Sequence, residues 1–379
     1  MIYRIAVTGL NATDDPNPGV AVIRSLRADP EWQNSLHIVG LAYDAMDTGI
    51  YSEGLLDEVY MLPYAYQGEG AFLHRMREIR QKTKIDVLIP TLDGELLNIM
   101  RSESLLNNMG IHVLLPAESS LKMHYKNVLA DFCGANGIPA PRTQVIYDHK
   151  QLEAAGRALG YPFVVKGILH EAHTAHSLQQ AQAYFDHVKN RWGIPLIAQQ
   201  YISGEGRGVA ALCDRRSKVI GAVAMRKLVV TEAGKGWAGV TVADKEIMAL
   251  SMKILEGLKW VGPLELEFVR EEKTGKLYLL EINPRFPAWI YLTARAGQNL
   301  AKSAVELALG KAVKPFTTYK EGVVFIRHAI DEICDLERLA QIVDKGELVF
   351  KHNRKGTSEW SKNETTKSST KNQQLLSTP

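Results

Sequence analysis

The sequence is poor in the features that define several protein classes. It has only three cysteines, Cys133, Cys213 and Cys334. They are scattered, odd in number and without metal-ligand spacing, which argues against a disulfide scaffold or zinc module and predicts buried thiols in a reducing compartment. Net charge is almost absent: 45 basic against 42 acidic residues leave +3, too little for an electrostatic footprint on nucleic acid. No run of about 18 apolar residues occurs, so no membrane-spanning helix is predicted. The opening Met1-Ile2-Tyr3-Arg4-Ile5 is β-like rather than a basic stretch leading into a long apolar one. The segment from Gly9 to Gly19 lacks G-x-G-x-x-G, which argues against a nicotinamide site. A soluble cytoplasmic protein with neither nucleic-acid nor membrane partner is expected.

What is present is ordinary globular composition, 46% hydrophobic and 23% charged over 379 residues, a length that favours two or three packed units. Apolar runs at residues 2–8, 37–43, 86–90 and 111–115 alternate with helix-like stretches, the rhythm of a parallel sheet with crossover helices. This predicts an α/β N-terminal domain over residues 1–118. A helix over about 121–135 ends at Asn136-Gly137, and Pro139 and Pro141 then favour extended backbone. Beyond that junction strand-like and helical stretches alternate as an α+β unit over 119–310, with a small part at about 140–203 and a larger one at about 204–310. Residues 311–350 read as an extension of unknown use. The polar stretch 351–379 is nearly devoid of core residues, so disorder is expected there.

The chemistry concentrates in two strand candidates. In Leu264-Glu265-Leu266-Glu267-Phe268 the period-two alternation puts both carboxylates on one face, and in Leu280-Glu281-Ile282-Asn283 it puts Glu281 with Asn283. A hairpin centred near Thr274 makes Glu267 and Glu281 cross-strand neighbours, where like charges repel unless a cation lies between them. Mg²⁺ suits such a set, being a hard ion that joins one or two carboxylates to phosphates. Mn²⁺ is an acceptable substitute, and Asn283 adds a neutral oxygen. Arg285 can clamp a phosphoryl or carboxylate group by bidentate hydrogen bonds. Lys166 ends an apolar strand, where a buried ammonium needs an anionic partner.

The string Glu281-Ile282-Asn283-Pro284-Arg285, with Glu267-Phe268 on the neighbouring strand, resembles the metal-binding segment of the ATP-grasp superfamily, most of all its carbamoyl-phosphate-synthetase and biotin-carboxylase-like branch. The resemblance spans roughly residues 1–310. It implies a pre-ATP-grasp α/β domain followed by the ATP-grasp fold, with Mg²⁺ and ATP held by Glu267, Glu281 and Asn283 and with Arg285 at the reaction centre. It further implies that Lys126 and Lys166 approach the nucleotide phosphates. The segment from Gln199 and Gln200 through Tyr201, Ile202 and Glu205 is implied as the adenine hinge. Where relatives carry a glycine-rich loop after the strand lysine, this chain reads Gly167-Ile-Leu-His170-Glu-Ala-His173-Thr-Ala-His176. We expect a polar lid there rather than a second metal. Gln199 stands where relatives usually have Glu.

Arg226-Lys227, followed by the Gly-rich stretch Thr231 to Gly239, reads as an irregular basic loop, a candidate lid. Lys227 is placed to neutralise a transferred phosphoryl group. Lys235 is either a second such clamp or a solvated surface lysine. The glycines of Gly204-Glu-Gly206-Arg-Gly208 read as a turn. The expected activity is that of a carboxylate–amine ligase acting on small-molecule or peptide substrates, with bicarbonate or carbamate phosphorylation and a silent nucleotide-binding scaffold as alternatives. A homodimer is allowed.

Overall fold

The computed structural model describes residues 2–168, 171–231 and 234–350, and its strands form three sheets. The apolar runs of the first third become β1 (Tyr3–Val7), β2 (Leu36–Ala42), β3 (Glu58–Met61) and β4 (Val87–Ile89), parallel and ordered β3-β2-β1-β4. Helices including Gly19–Arg27 and Gly68–Lys82 make the crossovers that parallel neighbours require. The strand expected at 111–115 is reduced to one parallel bridge, Val87 with His112. Its would-be partner β4 is only three residues long, and Pro116 removes the next amide donor. The short β3 escaped notice because Glu58 dilutes its apolar pattern.

The second sheet holds β5 (Thr143–Ile146), β6 (Phe163–Gly167), β7 (Ala172–Ala175) and β8 (Leu196–Gln200) in the order β5-β8-β6-β7, antiparallel throughout. Helices His149–Leu159 and Leu178–Trp192 cover it. Each opens on a side-chain cap, Asp148 accepting from the Gln151 amide and Ser177 from that of Gln180. Leu152, Phe163, Val165 and Phe185 are fully buried between helices and sheet.

The third sheet is antiparallel and contains β9 (Gly204–Cys213), β10 (Val219–Val230), β11 (Gly236–Thr241), β12 (Gly262–Glu271), β13 (Leu277–Asn283) and β14 (Val324–Ile326), ordered β13-β12-β9-β10-β11-β14. The helix Lys245–Leu258, capped by Asp244, packs Ile247, Ile254 and Leu255 against Leu264, Leu266 and Phe268. Each such burial contributes about 1.5–3 kcal/mol relative to exposure. It commits the alternate residues of β12, Glu265 and Glu267, to the other face.

Two readings of glycine-rich sequence are corrected. Residues 204–208 are the start of β9, not a turn: a Cβ at Gly204 would sit 2.0 Å from the Arg270 carbonyl oxygen on β12, so glycine is there for strand contact. The stretch after Lys227 is largely a hairpin, because β10 continues to Val230 and β11 resumes at Gly236; the Thr231 amide bonds the Lys235 carbonyl at 2.9 Å across the connection. Glu232 and Ala233 of that connection lie outside the described residues.

Residues 311–350 complete two sheets. β14 pairs with β11, and after the helix Leu336–Lys345 the strand β15 (Glu347–Val349) pairs antiparallel with β3. The polar stretch 351–379, expected to be disordered, lies outside the described residues. Cys133 and Cys213 are buried, and burial pushes their thiols up to about 12, but Cys334 is half-exposed, so the expectation of three buried thiols fails there. Among the described residues no helix is long and apolar enough to cross a membrane.

Candidate active site

The hairpin β12–β13 pairs Glu267 with Glu281 and Glu265 with Asn283. A bulge between Glu267 and Phe268 shifts the register beyond, leaving the polar face continuous. The Asn283 amide Nδ2 donates to Glu265 Oε2 and to Glu267 Oε1, both at 3.0 Å, and the Trp289 indole donates to Glu265 Oε1 at 2.6 Å. On the other side β9 presents Gly208 opposite Glu267. A Cβ at Gly208 would lie 3.2 Å from the Trp289 ring and 3.4 Å from Glu265 Oε1, so its absence leaves room for both.

Cations from four elements converge on this face. Lys227 on β10 reaches Glu267 Oε2 at 3.0 Å, and Lys126 at the start of the helix Lys126–Asn136 reaches Glu281 Oε1 at 3.0 Å. Arg285, just past β13, forms an ion pair with Asp93, its Nε 3.1 Å from Oδ1 and its Nη2 donating to Oδ2 at 3.4 Å. Lys166 on β6 is buried and, among the described residues, makes no ion pair; burial draws its ammonium down to about 8, against the pull of Glu281. Burial and the Glu267 charge raise Glu265. Burial opposes ionisation of Glu267 too, but Lys227 outweighs it and holds that carboxyl low.

This donor set fits a magnesium nucleotide. Glu267 and Glu281 are cross-strand neighbours, the neutral Asn283 amide stands beside them against Glu265 and Glu267, and a buried ammonium without an ion pair among the described residues is nearby, as a hard cation and its phosphates require. Lys126, Lys166, Lys227, Glu267, Glu281, Asn283 and Arg285 are thus gathered into one electrostatic cluster. Lys235 is half-exposed, within electrostatic reach of Glu267 and 3.3 Å from Asp15 of the N-terminal unit.

The hinge candidates are differently placed. Gln199 is buried on β8 and its amide donates to Thr143 at 3.1 Å, so its side chain is engaged with the neighbouring strand. Gln200 ends β8 and its oxygen accepts from Arg142. Tyr201 and Ile202 lie past the strand end, outside the ladder. Glu205 belongs to β9, its carboxylate taken up by Arg207 and Arg226 at 3.0 and 3.5 Å. Of the three spaced histidines, His173 sits on β7 and His176 just beyond it; His170 lies outside the described residues.

Sequence reasoning missed Asp93 and Arg327. Asp93 opens a helix after β4, a position that carries no local signal for a partner on β13. Arg327 follows β14; its pKa is lowered by burial, with the charges of Asp15 and Glu265 acting against that shift. A lone Arg closing the run Val323-Val324-Phe325-Ile326 was the available clue.

Residues 194–328 match the protein family described as "ATP-grasp in the biosynthetic pathway with Ter operon". The carbamoyl phosphate synthase large chain of Caldanaerobacter subterraneus subsp. tengcongensis is 27% identical over 179 residues, which is 44% of this chain and 16% of that protein, so most of the relative has no counterpart in the match. Among solved structures, a biotin carboxylase–beta-gamma-ATP complex from Campylobacter jejuni superposes with a TM-score of 0.64 at 14% identity, covering 85% of this chain and 74% of the other. The L-amino acid ligase from Bacillus licheniformis gives 0.60 at 17% identity, covering 82% and 75%.

Proposed function

We propose that the chain is an ATP-grasp enzyme, an ADP-forming ligase that joins a carboxylate to an amine, a reading supported by the family match over residues 194–328 and by the likeness to the carbamoyl phosphate synthase large chain. The observation that carries this reading is the pairing of Glu267 with Glu281 across β12–β13, with Asn283 bonded to Glu265 and Glu267 beside it and Lys126, Lys166, Lys227 and Arg285 around it.

In this reading Glu267, Glu281 and Asn283 hold Mg²⁺, which when bound neutralises phosphate charge and polarises the γ-phosphoryl group. Lys166 and Lys126 hold the nucleotide phosphates, and the backbone from Gln200 to Ile202 receives the purine edge. The acceptor carboxylate oxygen forms a bond to the γ-phosphorus as the bond to the bridging oxygen breaks, and ADP leaves. Lys227 and Arg285 stabilise the charge spread over the transferred oxygens. An amine nitrogen then attacks the acyl carbon, losing its proton, and inorganic phosphate departs with the bonding pair. Phe286 and Trp289, just past Arg285, are buried in the core that backs the site, with the Trp289 indole on Glu265. The matched family's biosynthetic description agrees with a small-molecule or peptide product.

The test is ADP and phosphate release from Mg-ATP across pooled amino acids, small acids and peptides, read with a mass spectrum of the products. Acceptor-dependent ADP with a condensed product is the expected result. The likeness to the carbamoyl phosphate synthase large chain makes bicarbonate a required arm: ADP formation with bicarbonate alone would replace the ligase reading by a bicarbonate-phosphorylating one. Nucleotide binding without turnover in any arm would leave a silent scaffold.

A further inference from the structure

We propose that Glu171, His173 and His187 form a transition-metal site, separate from the β12–β13 carboxylates, that ties the hairpin β6–β7 to the helix Leu178–Trp192. The three side chains each offer one ligand atom, and these atoms all lie within 4.8 Å of one another. His173 Nε2 stands 2.7 Å and His187 Nε2 2.9 Å from the same oxygen, Glu171 Oε1.

The convergence is built by local structure. Glu171 lies just before β7 and His173 on it, and the two side chains meet at Glu171 Oε1. Glu171 adopts φ of 67°, a left-handed conformation unusual for a residue with a side chain; strain of that kind concentrates at binding sites. His187 comes from the helix. A ligating carboxylate is ordinarily hydrogen-bonded through its other oxygen, and the Trp192 indole donates to Glu171 Oε2 at 2.6 Å, while the His173 ring stacks on Tyr184 at 4.7 Å between centroids. Arg191 approaches Oε2 at 3.8 Å.

Two imidazoles and a carboxylate select a borderline divalent ion such as Zn²⁺ or Co²⁺ over Mg²⁺, which prefers an all-oxygen shell. Tetrahedral bonds of about 2.0–2.1 Å set neighbouring ligand atoms roughly 3.3 Å apart. The contacts at 2.7 and 2.9 Å must therefore open by about half an ångström. His187, on the exposed side of its helix, has the freedom to do so. Three protein ligands leave a position for water. The Gly167 amide bonds the Glu171 carbonyl at 3.1 Å, which connects the site to β6, the strand that carries Lys166.

The experiment titrates Co²⁺ into the chelator-stripped full chain in excess Mg²⁺, follows the visible ligand-field bands of imidazole-bound cobalt, and then displaces the ion with Zn²⁺. We expect one imidazole-bound equivalent that survives Glu281→Ala, weakens more than about 100-fold in His187→Ala or His187→Gln and about tenfold in Trp192→Phe, and is untouched by His176→Ala. Circular dichroism checks that each variant is folded. Equal stoichiometry and affinity in the parent and both His187 variants, or no imidazole-bound cobalt in the parent, would overturn the proposal.

Discussion

Lys166 shows how much one residue's surroundings decide. It was legible in sequence as an ammonium at the end of an apolar strand, and the structure adds that it is buried without an ion-pair partner among the described residues. Burial draws its pKa from 10.5 to about 8. Between about 8 and the unfolded value the unfolded chain holds a proton the folded chain has lost, so this group makes stability rise with pH across that window. Bound phosphate should restore the charge. Calorimetry of ATP binding near pH 8.5, in buffers of different ionisation enthalpy, should therefore show proton uptake, and affinity should fall as pH climbs past about 8; pH-independent affinity with no uptake would mean that Lys166 does not meet the phosphates. Glu281 gives the complementary test. Glu281→Ala leaves the sheet paired but removes one side of the cation cradle and the partner of Lys126, so kcat should fall by about 10²-fold or more while the circular dichroism spectrum is retained. Full turnover in that variant would remove the metal assignment.

At the scale of elements, the hairpin could be read from its alternation because period two is a local property, and β12 and β13 fall where that alternation puts them. The glycines of 204–208 could not, because their reason lies on another strand. Gly204 backs onto the Arg270 carbonyl and Gly208 clears the Trp289 ring, and neither partner is near in sequence. Turn chemistry is the default reading of such a cluster, and close approach across a sheet overrides it. Gly204→Ala should separate β9 from β12 at its end and cost about 1–3 kcal/mol, seen as a lowered urea midpoint. A midpoint equal to the parent's would show that the strand end yields freely. The β10–β11 connection was misread for another reason: its basic, glycine-rich composition and the register shifts between Lys227 and Val230 hide the alternation of two strands that pair as a local hairpin.

Across the whole molecule, what the sequence could not disclose is which surfaces of its units meet at the site. Asp93 follows β4 in the first sheet, Arg285 follows β13 in the third, and their side chains form a two-point ion pair over 192 residues of chain. Asp15 and Lys235 make a second link between the same units. Arg285 also feels Glu265, Glu281 and Glu267, so without Asp93 its guanidinium would be drawn toward the carboxylate hairpin rather than held out to the cleft. Asp93→Asn keeps the side chain's size and the start of its helix while weakening that hold. A reacting group displaced by about 1 Å can lose about 100-fold in rate. The expected outcome is a fall in kcat of about tenfold to 100-fold, with KM for ATP near the parent value because Lys126, Lys166 and the hinge backbone are untouched. Steady-state kinetics on the acceptor found by the ADP-release screen measures this split. A rise in KM for ATP at unchanged kcat would instead place Arg285 on the nucleotide, and the contact between the two units would then serve binding rather than the alignment of the transferred group.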